Sequence, residues 1–328
     1  MTGKVNKGKI RVVNLRQANT MTRFTLGVNT YFTSTRWPRP CEKLRLVREE
    51  LNLNCLQYSL DGFEAGWPAA YRKRLAAEIR EAAARYSISI HSVFTGSGHH
   101  DNSFLYHPDR QWRQYCLRWF KAAIIFAAEI GARGAGGFTG ALSLAEAARP
   151  ELCRKRIEQA QQLLWELAEK AAACGLEFFL IEPMSVRREP PATVEETLEM
   201  MERLNERAAL PIRLCLDVGH HLAVSGSKAE RDPYHWLRKC SRWAEAVHLH
   251  QTDSKASRHW PFTPAFNRRG LIRAEKVLQA LIRSGVSEMT LLVEIFVPFY
   301  EPRDSQAITE VRESVAYWRR ALNNSQFQ

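Results

Sequence analysis

Residues 245–255 read EAVHLHQTDSK, a short apolar segment that ends on a histidine and continues directly into polar residues. Because side chains alternate between the two faces of a strand, His248 and His250 would lie on the same face of this one. Similar segments, rich in Val, Ile, Leu and Phe, recur along the chain and alternate with longer stretches that have helical spacing. This alternation decides the predicted fold.

Eight strands and eight helices are predicted in strict alternation. The predicted strands cover residues 24–30, 54–60, 87–94, 132–138, 176–183, 212–218, 244–250 and 289–295. The predicted helices cover about residues 40–51, 68–86, 109–130, 150–174, 193–208, 231–242, 273–284 and 304–322. Three glycines stand where helices should end: Gly131, Gly175 and Gly285. Thr193, with Glu196 three residues later, has the capping-box pattern of a helix start.

This order of elements favours a barrel over an open sheet. A doubly wound sheet usually carries a glycine-rich phosphate turn after its first strand, whereas the segment NTYFTSTRWPRP, residues 29–40, contains no glycine. The sequence therefore predicts an α/β protein with a single (β/α)8 TIM barrel, in which eight parallel strands are ringed by helices.

The composition is that of a globular protein with a large core, since 45% of the residues are hydrophobic and 25% are charged. No apolar run approaches the roughly 20 residues that cross a bilayer, and the first residues lack the apolar core of a signal peptide. The seven cysteines are dispersed without a CxxC pair, which is typical of reduced thiols. We therefore expect a cytoplasmic protein that does not enter the membrane.

The formal charge of +12 is concentrated partly near the N-terminus, where residues 1–20 carry five basic and no acidic side chains. We expect a basic tail over residues 1–22, one barrel domain over 23–322 and a C-terminal tail over 323–328. The remaining positive charge fits either a solvated surface or the attraction of an anionic substrate such as a sugar phosphate.

Four consecutive predicted strands end on side chains that can bind a metal: Glu182, Asp217, His250 and Glu294. In a TIM barrel the C-terminal ends of the strands meet at one rim. Three buried carboxylates would repel one another there unless a cation joined them. Any one of the four is more often a helix cap or an ion-pair partner, so the signal lies in the set. Oxygen-rich ligation with one imidazole suits Mn²⁺ best, with Mg²⁺, Co²⁺ or Zn²⁺ also acceptable.

The same segments resemble the xylose isomerase-like TIM barrels, a family of sugar isomerases, ketose 3-epimerases and endonuclease IV. The resemblance covers about residues 24–320 and rests on IEP after strand five, DVGH at strand six, HLHQTD at strand seven and VEI at strand eight. A weaker match is RRGLIRAEKVLQAL, residues 268–281. The resemblance implies that the four strand-end residues bind the metal and that His220 contacts the substrate. His248, one pleat deeper, would support the site from below.

The resemblance also implies the chemistry. Members of this kind isomerise or epimerise a small keto-sugar, or its phosphate or acid, through an enediolate, and such barrels commonly form dimers or tetramers. Glu182 and Glu294 would be the catalytic carboxylates, approaching the substrate from opposite sides. Two flanking bases favour epimerisation and a single base favours a 1,2 shift of the carbonyl, and the sequence leaves both open.

Three further residues are predicted to contact the substrate: His91 in strand three, Arg188 in the loop after strand five and Lys255 in the loop after strand seven. Five aromatic residues fall on predicted rim loops or strand ends and would line the pocket or pack: Tyr31, Trp37, Tyr58, Phe94 and Trp260. The ketose 3-epimerases carry an Arg where this chain has Ala256, and a Glu where it has Arg188. The extra arginines on these loops suit a phosphate or carboxylate on the substrate.

Three alternatives stay open. A decarboxylase or lyase could use the same enediolate and would also favour arginines near the substrate. A DNA-repair endonuclease of the endonuclease IV type needs a three-metal cluster with an Asp-x-His pair after strand seven, and here Asp253 and His259 are six residues apart. A metal-free binding barrel would leave the four buried polar groups uncompensated. We therefore expect a small-molecule enzyme rather than a nucleic-acid-binding protein.

Overall fold

In the computed structural model, which describes residues 22–184, 186–223, 227–298 and 301–324, eight parallel strands pair in chain order and close into a barrel. The strands are β1 (Arg23–Asn29), β2 (Cys55–Ser59), β3 (Ser89–Phe94), β4 (Gly134–Gly137), β5 (Phe178–Ile181), β6 (Ile212–Asp217), β7 (Ala244–Leu249) and β8 (Glu288–Val293). The predicted (β/α)8 TIM barrel is confirmed. Most of both predicted tails lies outside the described residues.

Helices cover the outside of the barrel. They are α1 (Pro40–Arg45), α2 (Ala69–Tyr86), α3 (Arg110–Ile130), α4 (Leu144–Ala147), α5 (Pro150–Ala173), α6 (Val194–Asn205), α7 (Pro233–Cys240), α8 (Pro264–Arg269), α9 (Ala274–Ser284) and α10 (Ala307–Leu322). The sequence analysis did not predict α4 and α8, which are too short to show helical periodicity. Within the described ranges, no helix has the length and apolarity needed to span a membrane.

The predicted helix ends agree with the backbone geometry. Gly131, Gly175 and Gly285 follow α3, α5 and α9 with φ between 77° and 79°, a left-handed conformation that glycine adopts without strain. At the start of α6, Thr193 Oγ1 accepts a hydrogen bond from the N–H of Glu196 at 3.1 Å. The Glu196 carboxylate accepts in turn from the N–H of the residue before the cap, at 2.9 Å.

Side chains of β5 fill the inside of the barrel next to β4. A Cβ atom on Gly134 would lie 2.1 Å from the ring of Phe178, and one on Gly136 would lie 2.0 Å from the carbonyl oxygen of Leu180. Both β5 residues are buried in a small apolar cluster with Phe94 and neighbours on β6 to β8. Because β4 contributes almost only backbone to the barrel interior, side chains of the other strands fill that space.

The strand register aligns the polar residues at the rim. Asp217 is paired with His248, and Leu249 is paired with Val293, so β6, β7 and β8 end at one level. Three strands end one residue before the predicted metal-binding side chain, which becomes the first residue of the following loop. That small difference leaves Glu182, His250 and Glu294 at the rim.

Candidate functional site

Four side chains predicted as one set lie together at the C-terminal rim, each at most 6% exposed: Glu182, Asp217, His250 and Glu294. Asp217 Oδ1 lies 2.9 Å from His250 Nε2. The two glutamates approach each other through a shared neighbour, His248. Contacts through His220 and His248 link the four residues into one buried polar cluster.

His248 bridges the two glutamates from below. Its Nδ1 lies 3.2 Å from Glu182 Oε1 and 3.1 Å from Glu294 Oε2, and its Nε2 lies 2.6 Å from Gln57 Oε1. The imidazole is fully buried. The predicted supporting position of His248 agrees with these contacts, which extend to both glutamates at once.

Asp217 has one oxygen satisfied and one without a partner. Oδ1 accepts from the backbone N–H groups of Gly219 (2.6 Å) and His220 (2.9 Å) and from His250 Nε2 (2.9 Å). Oδ2 is buried and has no hydrogen-bond partner among the described residues. An unpartnered carboxylate oxygen is costly in a buried site. The donor set of carboxylates and imidazole around it fits a divalent cation.

His220 lies between β5 and the loop after β7. Its Nε2 is 3.4 Å from Glu182 Oε1, and its Nδ1 is 2.9 Å from the hydroxyl of Ser257. The ring lines the cavity described below. His220 therefore faces the cavity, and its contact with the substrate stays a prediction.

The loop after β7 brings His259 into the site, a residue that the sequence analysis did not assign to it. Its φ of 46° lies in the left-handed region, which is strained for such a side chain. Its N–H donates to His250 Nδ1 (3.1 Å), and its carbonyl accepts from the N–H of Phe296 (3.0 Å). Its Nδ1 lies 3.3 Å from Glu294 Oε2.

A stack of rings continues from His259 across the site. The His259 ring packs between those of His250 and Phe296, with centroids 3.9 Å away on either side and interplanar angles of 20° and 8°. Phe296 in turn contacts Tyr31 at 4.0 Å. The stack holds both imidazoles in fixed planes, and its other members, Phe296 and Tyr31, line the cavity together with His259.

A cavity of about 250 Å³ opens at this rim. One part of its wall, which we call the β1–β3 wall, consists of Tyr31, Ser59, Phe94, Thr95, Ser97 and His100. The other part, the β5–β8 wall, consists of Glu182, His220, Ser257, His259, Glu294 and Phe296. Both glutamates thus face a space that suits a small molecule.

A larger cavity of about 740 Å³ lies at the opposite end of the barrel. Arginines line it, but they are paired with carboxylates: Arg23 with Glu288, and Arg133 with Glu245. In TIM barrels the chemistry belongs to the C-terminal rim, whereas the N-terminal face serves stability. The smaller cavity is therefore the candidate active site.

The other predicted contacts lie away from this cavity. His91 is buried inside the barrel three residues before the end of β3, where its ring packs against Phe178 at 5.3 Å. Arg188 donates to the carbonyl oxygen of Leu142, and Lys255 is exposed. The loop after β7 contributes Ser257 and His259 to the wall instead.

Of the five aromatic residues predicted near the rim, two line the cavity, Tyr31 and Phe94. The other three pack against neighbouring aromatic rings: Trp37 on Phe32, Tyr58 on Phe126 and Trp260 on Phe266. Fewer aromatic side chains therefore line the cavity than the sequence predicted.

Burial opposes the charged forms of Asp217 and His220, but each stabilises the charge of the other. Burial alone would raise the pKa of Asp217, yet His220 and His250 hold it well below its ordinary value. Burial alone would lower the pKa of His220, yet Asp217 and Glu182 raise it to about 9. In the absence of a cation, the positive charge of protonated imidazoles compensates the negative charge of the buried carboxylates.

Around Glu294, too, neighbouring charges oppose the effect of burial on each pKa. Burial would raise its pKa, but His248 and His259 lower it. Burial would lower the pKa of His248, but Cys215 and Glu294 raise it well above its ordinary value. His259 differs, because burial and the neighbouring His250 lower its pKa to about 4. Its ring is therefore neutral near pH 7, beside an ionised Glu294.

Known proteins are similar to this chain over most of its length. Residues 52–321 match the family described as "Xylose isomerase-like TIM barrel". The chain is 30% identical over 295 residues to the D-erythrulose 1-phosphate 3-epimerase of Brucella abortus (strain 2308), covering 90% of this chain and 95% of that protein.

Two solved structures superpose on this chain over most of its length. A putative xylose isomerase from Rhodospirillum rubrum superposes with a TM-score of 0.84 at 28% identity, covering 90% of this chain and 99% of that one. An L-ribulose 3-epimerase superposes with a TM-score of 0.67 at 17% identity, covering 93% and 96%. The second likeness is one of fold alone.

Proposed function

The chain belongs to the xylose isomerase-like TIM barrel family, and we propose that it is a divalent-metal-dependent 3-epimerase of a short ketose phosphate. The isomerase or epimerase class is supported by the two more similar relatives, one named as an epimerase and the other as a putative xylose isomerase. The phosphate is supported by the D-erythrulose 1-phosphate 3-epimerase that covers nearly the whole chain.

The observation that carries the proposal is the pair Glu182 and Glu294, which face one small cavity while His248 contacts both. Each glutamate has one oxygen beside His248 Nδ1, and both residues line the cavity in which the substrate would bind. When one glutamate is ionised and the other carries a proton, a carbon held between them can lose its proton to the carboxylate and gain the proton of the carboxylic acid on the opposite face. Inversion at that carbon is the result.

The electrons of the broken C–H bond pass into the adjacent carbonyl, so that the substrate becomes an enediolate until a proton returns to carbon. Glu182, Asp217, His250 and Glu294 would hold the cation, with Mn²⁺ preferred and Mg²⁺, Co²⁺ or Zn²⁺ acceptable. When bound, the cation supplies a Lewis acid that polarises the carbonyl. His220 would donate a hydrogen bond to a substrate oxygen, since its ring faces the cavity.

The small size of the cavity also supports a substrate of few carbons. Inside it, the hydroxyl groups of Tyr31, Ser97 and Ser257 can bond to sugar or phosphate oxygens. The arginine-bearing loops remain candidates for electrostatic attraction of the phosphate at longer range.

The first experiment combines metal content with proton exchange. Metal is measured by mass spectrometry on the wild type, on Glu294→Gln and on Glu288→Gln, an exposed glutamate at the other end of the same strand. We expect about one divalent ion in the wild type and the Glu288 variant and a loss of metal in Glu294→Gln. Tetrulose and pentulose phosphates in deuterated water should then exchange the hydrogen on C3.

The outcomes separate the alternatives. Exchange at C3 with inversion supports the epimerase, and exchange at C1 alone indicates a 1,2-isomerase instead. Release of carbon dioxide from keto-sugar acids would favour a decarboxylase. A wild-type protein that binds no divalent metal after reconstitution contradicts the proposed mechanism.

A further inference from the structure

We propose that Asp61 determines how Ser59 recognises the substrate: the carboxylate takes the proton of the Ser59 hydroxyl, so that Ser59 presents a hydrogen-bond acceptor to the cavity and selects a hydroxyl group of the sugar. The inference rests on the proposed function, because it concerns a ketose phosphate in that cavity. Asp61 is not among the residues that line the cavity, so it is a positioning residue that acts through Ser59.

Ser59 is fixed at the rim with its proton turned away from the cavity. It is the last residue of β2, is 4% exposed and lines the cavity on the β1–β3 wall. Its N–H donates to Thr30 Oγ1 at 2.9 Å, and its hydroxyl donates to Asp61 Oδ2. A serine hydroxyl has one proton and two lone pairs. With that proton bound by Asp61, Ser59 can only accept hydrogen bonds from a molecule in the cavity.

A buried lysine supports the charge of Asp61. Burial raises the pKa of Asp61, whereas the hydrogen bond from Ser59 and the positive charge of Lys43 act in the opposite direction. Burial likewise lowers the pKa of Lys43, and Asp61 opposes that change. Each of the two residues therefore favours the charged form of the other. An ionised carboxylate accepts hydrogen bonds and donates none, which agrees with Ser59 as the donor.

The loop after β3 leaves room for the Asp61 carboxylate. A Cβ atom on Gly96 would lie 2.2 Å from Oδ1 and 2.8 Å from Oδ2 of Asp61. Gly96 has a φ of −79°, which other residues adopt freely, so its backbone conformation does not require glycine. The carboxylate therefore occupies the space that a side chain at position 96 would fill, and it packs directly against this loop.

Ser59 consequently distinguishes between the chemical groups of a ketose phosphate. A sugar hydroxyl can donate to Ser59 Oγ, whereas a carbonyl oxygen and a doubly ionised phosphate have no proton to donate. In a tetrulose 1-phosphate, the hydroxyl on C4 is the free hydroxyl that does not lie on the reacting carbon. This C4 hydroxyl is the group that meets Ser59, and the phosphate lies away from the end of β2.

The test measures binding, so that it does not depend on turnover. One probe is a tetritol 1-phosphate, which is the reduced form of the sugar phosphate and has no carbonyl to react. The other is the same compound with fluorine in place of the C4 hydroxyl, because fluorine is similar in size but has no proton to donate. Calorimetry on the metal-loaded protein gives the ratio of the two dissociation constants for each variant. A general loss of structure weakens both ligands and leaves the ratio unchanged.

We expect the fluorinated compound to bind the wild type about 5- to 50-fold more weakly than the tetritol phosphate. The ratio should fall to about one in Ser59→Ala, which has no acceptor. It should also fall in Asp61→Ala, where Ser59 is free to donate, and in Gly96→Ala, where the added Cβ displaces the carboxylate. Gly98→Ala is the matched control and should keep the wild-type ratio, since a Cβ there meets no atom within 4 Å.

Two results of the binding test would overturn the proposal. The first is a ratio near one in the wild type, because the C4 hydroxyl would then not donate to the protein. The second is a wild-type ratio in Asp61→Ala, because Asp61 would then have no influence on Ser59.

A neutron crystal structure of the wild type without ligand locates the Ser59 proton directly. A deuteron bonded to Ser59 Oγ and directed at Asp61 Oδ2 agrees with the proposal, whereas a deuteron directed into the cavity overturns it. This readout is independent of the proposed function. If the protein neither exchanges a ketose proton nor binds the tetritol phosphate, the proposed function fails, and the position of the deuteron still decides the role of Asp61.

Discussion

Gln57 and His248 are joined by a contact of 2.6 Å between Gln57 Oε1 and His248 Nε2, and this contact determines the protonation of the imidazole. Gln57 Oε1 also accepts from Asn29 Nδ2 (2.7 Å), while its amide nitrogen donates to Ser92 Oγ (3.1 Å). The amide is thus oriented with its oxygen toward His248, whose Nε2 must donate. Since Nδ1 faces two carboxylates, it donates as well, and His248 is a buried imidazolium.

The first prediction concerns this amide. Gln57→Leu removes the acceptor of two buried donors, and each unsatisfied donor costs about 1–3 kcal/mol. We expect the free energy of unfolding to fall by about 2–6 kcal/mol, measured by urea denaturation. Gln279→Leu, on the exposed face of α9, should leave the midpoint nearly unchanged. A stable Gln57→Leu protein would show that the imidazolium does not depend on this acceptor.

A second prediction concerns the turn after β6. A Cβ atom on Gly219 would lie 2.1 Å from Cε1 and 2.6 Å from Nε2 of His250. Gly219→Ala must therefore displace the imidazole that is proposed to bind the cation. We expect divalent metal affinity to fall at least tenfold in a folded protein, measured by calorimetry.

Gly66→Ala is the control for that change, because an added Cβ there meets no atom within 4 Å. Its metal affinity should equal that of the wild type. Equal affinities in both variants would mean that His250 is not needed to bind the ion.

The third prediction is a pH dependence of the metal-free protein. The pKa of His220 is raised to about 9 in the folded state, above its ordinary value of 6.5. The folded state therefore binds this proton more tightly, and the resulting stability is complete below pH 6.5 and lost as the pH rises through 9. The shift corresponds to at most about 3 kcal/mol.

Thermal unfolding of the metal-free protein between pH 6.5 and 9.5 measures this effect, with the midpoint expected to fall across that window. His220→Gln should flatten the dependence. Added divalent cation should stabilise the protein more at the high end, because protons and the cation compete for the same carboxylates. A midpoint that rises with pH in the metal-free protein would contradict the charge balance described here.

The fourth prediction concerns recognition. Ser97 lies on the β1–β3 wall, opposite the glutamates, so its hydroxyl can contact the substrate without contributing to proton transfer. We expect Ser97→Ala to raise KM about 2- to 10-fold with little change in kcat, the effect of one lost hydrogen bond. Ser254→Ala, on an exposed position of the loop after β7, serves as the control. A loss confined to kcat would place Ser97 in the chemical step instead.

Much of the barrel and the four strand-end residues could be predicted, because a polar residue that closes an apolar strand is visible in the sequence. Asp217 ends β6 and Glu294 follows β8, as the pattern of burial required. The alternation of side chains along a strand indicates the face on which a residue lies, but it does not indicate how far from the rim the residue lies. His91 was therefore expected at the rim, whereas it lies within the barrel interior.

Loop residues could not be predicted in the same way. His259 reaches the site through a left-handed backbone and two long-range hydrogen bonds, none of which leaves a spacing signal. Arg188 and Lys255 were expected near the substrate because of their charge, but charge alone does not determine where a loop side chain points. Their places depend on tertiary contacts such as the bond from Arg188 to Leu142.

The two walls of the cavity have different proposed roles: the β5–β8 wall carries the chemistry, and the β1–β3 wall contacts the substrate. The proposed bases and cation ligands lie at the ends of β5 to β8 or directly after them, whereas the β1–β3 wall carries hydroxyl groups, a histidine and rings. Substitutions on the β1–β3 side can change the fit to a ketose while the proton-transfer machinery stays intact. A lineage, or a protein engineer, could therefore move such a barrel from one sugar to another by editing three loops.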